Sequence, residues 1–206
     1  MDAKKQDPKG SRERILRAAL DEFAENGLAG GRVDGIARRA GVNKAMIYYH
    51  FDSKEHLYLK VLENEVKARA GTVAREIESG KSLEGILEFI AEAYYKFLAP
   101  GTKLAPLFLR EMAGGGERLK RIVPDLVIHK DLPRKLTDII EKGKAENRFR
   151  DIDIRQAIAS FVGMCFFYLL AGPLVNEVWG IEDAHKFREE RPKAIVDLFM
   201  RGLEAR

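Results

Sequence analysis

The chain has 206 residues, of which 46% are hydrophobic, 33% charged and 9% aromatic, a profile that excludes a disordered chain, a collagen or a coiled-coil rod. Folding at this length removes about 70% of the unfolded surface from water, and the single cysteine, Cys165, permits neither an intrachain disulfide nor a multi-cysteine zinc site, which suits a reducing cytoplasm. The 36 Lys and Arg exceed the 32 Asp and Glu by four, and three of the four arise in residues 1–60 (12 against 9) rather than 61–206 (24 against 23), so a small basic N-terminal unit is suited to a polyanion.

Met1 to Gly10 carries Lys4, Lys5 and Lys9 with no apolar run behind them, which argues against a signal peptide and predicts a disordered basic arm over residues 1–10. A first helix is expected from Ser11, a good N-cap, through Ile15, Leu16, Ala19, Leu20 and Phe23 to Asn26-Gly27. After Gly30-Gly31 a short helix spans Val33 to Ala40, Gly41 forces a turn, and a third helix opens at the N-cap Asn43 and ends near His50-Phe51. Asp52-Ser53 then caps a long fourth helix reaching about Ile77.

Beyond it, apolar residues keep helical spacing over Leu83 to Leu98, Lys103 to Met112, Glu117 to Asn147 (interrupted by Pro124 and Pro133), Ile154 to Trp179 and Ala184 to Leu203. No segment alternates as a strand does. The fold class is therefore all-α: a three-helix helix-turn-helix head, residues 11–55, joined by a long helix to a larger helical body, residues 56–206. Gly80-Lys81-Ser82 lacks the first glycine and the preceding strand of a phosphate loop, so it reads as a turn and an N-cap.

Ala157 to Val175 is 19 residues without a charge, close to the roughly 20 that cross a bilayer. Ser160, Gly163, the Gly172-Pro173 break and flanks without an Arg/Lys cluster argue against a membrane span. The expected alternative is a helix covered on one side by its own body and on the other by a second subunit. Small Ala159, Ser160 and Gly163 allow close approach, and Ile195, Phe199 and Leu203 recur at helical spacing in the last helix. A homodimer with a four-helix seam containing Ala159, Gly163, Ile195, Phe199 and Leu203 follows.

The chemistry concentrates in the head. In the third helix Ile47 and Phe51, four apart, pin one face to the core, which leaves Lys44, Tyr48, Tyr49 and His50 for a partner. Placed in a major groove, Lys44 can donate to guanine while Ala45 and Met46 touch a thymine methyl. Tyr48, Tyr49 and His50 then reach phosphates, as does Lys54 in the first turn of the fourth helix. Alone, the two tyrosines would read as partly buried core aromatics; within the whole motif they read as contacts.

The contiguous run from Gly41 to Leu57, GVNKAMIYYHFDSKEHL, resembles the DNA-binding signature of the TetR (tetracycline-repressor-like) family of bacterial regulators, over about residues 11–62. The resemblance implies a sequence-specific DNA-binding regulator, not an enzyme, and puts Asn43, Lys44, Tyr48, Tyr49, His50 and Lys54 at DNA. Arg32 stands where the family usually has a Thr or Ser; it cannot cap the second helix but can hold a phosphate. Asp34, at a position basic in some members, is expected to cap that helix and stay out of the interface. Ala45 and Met46 replace a frequent Gly and Thr, which bears on base preference.

The resemblance further implies an effector cavity in the body, mostly apolar with a few polar anchors. Candidate lining residues are Tyr94, Phe97, Phe108, Arg110, Met112, Phe161, Cys165 and Asn176, with Glu111 beside Arg110 able to form an internal salt bridge instead. The implied partners are a palindromic double-stranded operator, a second copy of the chain and a small, mostly apolar effector that releases a repressor; no cofactor and no membrane are expected. His50 and His56 flank Asp52 across a helix break, so no metal site is expected, and spacing offers no catalytic residues. The competing reading is a soluble all-helical enzyme or small-molecule-binding protein without operator specificity, which leaves the head motif unexplained.

Overall fold

The computed structural model describes residues 8–99, 101–129 and 131–205; most of the expected basic arm, residues 1–7, lies outside them. Among the described residues ten helices follow one another, α1 (Pro8–Gly30), α2 (Val33–Ala40), α3 (Lys44–Phe51), α4 (Lys54–Glu78), α5 (Leu83–Phe97), α6 (Leu104–Ala113), α7 (Glu117–His129), α8 (Leu132–Ala145), α9 (Ile154–Trp179) and α10 (Ala184–Leu203). The described residues contain no strand, only one isolated bridge between Phe149 and Glu204. Residues 8–10, assigned to the arm from sequence, are already helical. Gly27 breaks α1 with a left-handed φ of 66°, yet helical structure continues to Gly30.

The chain divides into two compact units: residues 1–68 with 101–125, and residues 69–100 with 126–206. The first is larger than the head expected from the motif, because α6 and the start of α7 join it through long-range bonds. Its core gathers Ile15, Ala19, Phe23, Ile36, Ile47, Phe51, Leu57 and Leu107, all buried. The rings of Phe23 and Tyr58 meet edge to face at 5.0 Å.

In the second unit α9 turns Phe161, Cys165, Tyr168 and Gly172 inward, a spacing of four, three and four that defines one helical face. Phe161, Cys165 and Tyr168 pack with Leu87, Ala91 and Tyr95 of α5 and with Ile195, Val196, Phe199 and Leu203 of α10. Ile195, Phe199 and Leu203 are therefore core of their own unit and not the expected seam. α10 has one apolar face, and α5 and α9 cover it.

The end of α8 shows how closely this unit is packed. Asn147 adopts a left-handed φ of 55°, and the amides of Arg148 and Phe149 both donate to the carbonyl of Gly143, at 2.9 and 3.2 Å. The return lays the Phe149 ring on Gly143, where a Cβ would stand 2.1 Å from Cδ2. Gly143→Ala is expected to destabilise the protein by about 1–3 kcal/mol through overpacking, read as a lower Tm; an unchanged Tm would disprove the close approach.

Candidate nucleic-acid interface

The first unit builds its helix-turn-helix from α2 and α3, and α1 holds α2 at both ends. No side chain caps α2 from within. Instead the buried carboxylate of Glu22 accepts the backbone N–H of Arg32 at 3.0 Å and the amide of Asn26 at 3.2 Å. At the other end Arg14 Nε donates to the carbonyl of Ala40 at 3.2 Å. The signs match the helix dipole, negative at the N-terminus and positive at the C-terminus. Gly35 leaves room for the arrangement, since a Cβ there would meet Glu22 Oε2 at 2.8 Å. Arg39 adds a two-pronged bond to Glu25, at 3.0 and 2.6 Å.

The turn follows the expected chemistry. Gly41 takes the left-handed conformation, φ 64° and ψ 40°, and Val42 N–H returns to the carbonyl of Ala37 at 3.1 Å. Asn43 caps α3 by accepting the N–H of Met46 at 2.8 Å. Its carboxamide oxygen is thus engaged before any base or phosphate arrives. Ile47 and Phe51 are buried and anchor α3, while Arg12 places its guanidinium 5.3 Å above the Phe51 ring.

What α3 leaves outside is a compact polar and aromatic surface. Lys44, Ala45, Tyr48 and Tyr49 are exposed, with Tyr49 at 78% of its full exposure. Arg32 is exposed beside them in sequence order at the start of α2, and Met46 is half-buried. His50 is also half-buried, its ring 5.2 Å from Tyr49 and its Nε2 buried with no partner, so it is less available to phosphate than the motif suggests.

Two expectations need correction. Asp34 does not cap α2, because Glu22 already occupies that place; its carboxylate forms an ion pair with Lys44 at 3.1 Å, joining α2 to the start of α3. Lys54 directs its ammonium to the carbonyls of Ala29 and Gly31, at 3.4 and 3.3 Å, tying the α1–α2 turn to the start of α4. Beside it Ser53 caps α4 by accepting the N–H of His56 at 3.0 Å, and His56 Nδ1 lies 3.1 Å from Asp52. Among the described residues no group of three or more metal-ligating side chains converges.

The residues proposed for an effector cavity do not fall in one unit. Phe108, Arg110 and Met112 lie in the first; Tyr94, Phe97, Phe161, Cys165 and Asn176 lie in the second. Arg110 instead donates to the carbonyls of Phe23, Ala24 and Glu25 at 3.3, 2.6 and 3.2 Å, where α1 approaches its break. Glu111 is buried and accepts from Tyr58 Oη at 2.8 Å and Arg118 at 3.1 Å. Burial and this carboxylate raise the Tyr58 pKa and keep its phenol protonated as a donor. The Glu111 ion pair thus forms with Arg118, seven residues on, and not with Arg110.

In the second unit Tyr94 meets Phe166 edge to face at 4.9 Å, and burial pushes its phenol up to about 12. Burial likewise raises the Cys165 thiol to about 12, which makes it a small hydrophobe and no nucleophile. Asn176 accepts from Tyr168 Oη at 2.8 Å. Arg69 places its guanidinium 4.7 Å above the Phe97 ring. Opposite its buried face, α9 exposes Gly163, Phe167, Leu170, Leu174 and Val178, a stripe at three- to four-residue spacing, and α10 exposes Leu198.

Residues 15–61 match the family described as "Bacterial regulatory proteins, tetR family", and residues 83–198 match "Tetracyclin repressor-like, C-terminal domain". The chain is 30% identical over 203 residues to the HTH-type transcriptional repressor NicS of Pseudomonas putida, covering 94% of this chain and 92% of that protein. In fold it is similar to the fatty acid degradation regulator FadR of Bacillus halodurans, with a TM-score of 0.72 at 22% identity over 98% of this chain and all of that one. It is also similar to FadR of Bacillus subtilis in complex with stearoyl-CoA, with a TM-score of 0.71 at 19% identity over 92% and 98% of the two chains.

Proposed function

The chain belongs to the tetR family of bacterial regulatory proteins, DNA-binding transcription regulators and not enzymes, and from that premise we propose that it is a homodimeric repressor that binds a palindromic operator in the cytoplasm. The observation that carries this reading is the surface of α3, where Lys44, Ala45, Tyr48 and Tyr49 stand exposed on a helix pinned by Ile47 and Phe51. Lys44 and Ala45 face base edges in this reading, with Met46 beside them, and Arg32, Asn43, Tyr48 and Tyr49 hold phosphates. His50 and Lys54 contribute mainly by holding α3 and the α1–α2 turn in place.

The dimer supplies the second recognition helix, about 34 to 36 Å from the first along a palindrome. The stripe Ala159, Gly163, Phe167, Leu170, Leu174 and Val178 of α9, with Leu198 of α10, is the proposed seam. Burying it removes from water an apolar surface that a monomer leaves open. A small effector bound among Tyr94, Phe97, Phe161, Cys165 and Asn176 of the second unit favours a conformation with the heads wrongly spaced for DNA. DNA then weakens the effector by the same factor.

Fluorescence anisotropy of a labelled duplex from the DNA flanking the protein's own gene, against a scrambled duplex, tests the reading at about 50 and 200 mM salt. With about 6 to 10 phosphate contacts the affinity falls roughly 10³- to 10⁵-fold across that range. Lys44→Ala is expected to abolish the preference for the native duplex, and Tyr49→Ala to weaken both duplexes about equally. Equal affinity for both duplexes, or no binding at low salt, overturns the operator chosen here or the regulator reading respectively.

A further inference from the structure

Lys44, the first residue of α3, does not stand alone on its surface. Both carboxylate oxygens of Asp34 lie against its ammonium, Oδ1 at 3.1 Å and Oδ2 at 3.3 Å from Nζ, so the pair joins the first turn of α2 to the first turn of α3. It is open to water, Lys44 being 49% and Asp34 74% exposed, and an ion pair so placed contributes little to folding. Nor does α2 need it, since Glu22 and Arg14 already hold both ends of that helix.

What the pair does is fix a donor beside an acceptor. An ammonium has three N–H donors and a carboxylate about four acceptor sites, so each partner keeps capacity after the pair has formed. Phosphates repel Asp34. Among the groups that DNA displays, its natural partner is the exocyclic amine of cytosine, N4, as guanine O6 and N7 are the natural partners of lysine. In a G·C base pair O6 and N4 are hydrogen-bonded to each other, about 2.9 Å apart, close to the 3.1 Å between Nζ and Oδ1. Read from guanine, the major-groove edge runs N7, O6, N4, two acceptors and then a donor. A T·A pair offers one acceptor, O4, before adenine N6, and then N7, an acceptor that repels a carboxylate.

We propose that Asp34 is a specificity-determining residue, and that Asp34 and Lys44 read one G·C base pair of each half-site as a unit. Lys44 Nζ donates to guanine O6 and N7 while Asp34 accepts from cytosine N4. The inference rests on the assignment of α3 to DNA made above and deepens it from a basic contact to a named base pair. The charge of Asp34 weakens binding to every duplex, and its acceptor restores binding at one base pair; discrimination is the difference.

The test is selection of duplexes from a randomised pool by the full-length protein, followed by anisotropy on the selected sequence. The unaltered protein is expected to select a palindrome with a G·C pair at one fixed position of each half-site. Asp34→Ala and Lys44→Ala are expected to relax that same position, each losing discrimination roughly 5- to 150-fold, the range of a paired contact to a base. The double variant should lose no more than Lys44→Ala. Asp34→Ala should also bind scrambled DNA more tightly, having shed a negative charge. Cytosine methylated at N4 keeps its pairing and loses the N–H that faces the groove. It should weaken the unaltered protein and leave Asp34→Ala indifferent, which separates a base contact from mere positioning of Lys44. Because both side chains are exposed, the variants should melt with the unaltered protein, so that lost discrimination is not lost fold. The pair is overturned if Asp34→Ala keeps every base preference, if the two single variants relax different positions, if the shared position is A·T, or if the methyl group affects both proteins equally. A pool bound without enrichment by the unaltered protein sinks the regulator reading and the pair with it, whereas enrichment that Asp34→Ala leaves unchanged sinks the pair alone.

Discussion

Leu170→Glu combined with Leu174→Glu is expected to give a folded monomer that has lost its operator. Both side chains are largely exposed, at 70% and 65%, so the substitutions remove little contact within the chain and far-ultraviolet circular dichroism should stay helical. In a dimer they place four carboxylates in an apolar seam, and an unpaired charge buried there costs far more than the seam returns. Two heads joined in one dimer bind as a bivalent ligand, so separating them should weaken operator binding about 10²- to 10⁴-fold. Analytical ultracentrifugation reads the mass and anisotropy the affinity. A double variant that still sediments as a dimer moves the seam elsewhere.

The second large effect is placed at Glu111. Its carboxylate is buried between Tyr58 Oη and Arg118, and Arg118 also lies 5.5 Å over the Tyr58 ring. Glu111→Ala strands the phenol without an acceptor and opens a void, at a cost of about 2–4 kcal/mol after allowance for the partly exposed Arg118. Glu111→Gln keeps an acceptor and should lose less, as should Tyr58→Phe, at about 1 kcal/mol. Urea denaturation of the three variants decides. A loss of under about 0.5 kcal/mol for Glu111→Ala is the size of an ordinary surface change and would mean that the network does not hold α6 to its unit.

Local signals in the sequence were sufficient for most of the helices, although α1 runs from Pro8 to Gly30 and α7 continues through Pro124, expected as an interruption. Gly41 at φ 64°, Asn43, Ser82 and Asp153 at the N-caps and Gly180 at the end of α9 each act on residues within one turn, and α9 and α10 run between the residues expected. Glu22 and Arg110 were not legible in their roles. Glu22 caps a helix ten residues away, and Arg110 reaches carbonyls 85 to 87 residues away. Such bonds leave no periodic trace.

The apolar face of α10 was legible as buried, and its cover was not. Spacing places Ile195, Phe199 and Leu203 on one side of a helix, yet it is silent on whether the cover is the chain itself or a second copy. The same limit applies to Asp34. An acid in the first turn of a helix is a natural cap, and only the position of Glu22 shows the place already taken.

The clamp of α1 on both ends of α2 has a consequence for how such a regulator changes over generations. On the proposed assignment of α3 to DNA, framework and readout are carried by different atoms: Glu22 and Arg14 grip main-chain groups, while α3 is retained by Ile47 and Phe51. Ala45 and Tyr49 bear little of that burden, and Lys44 only an exposed ion pair to Asp34. After a gene duplication, one copy can therefore exchange them and drift toward a new promoter without first crossing a valley of misfolded intermediates.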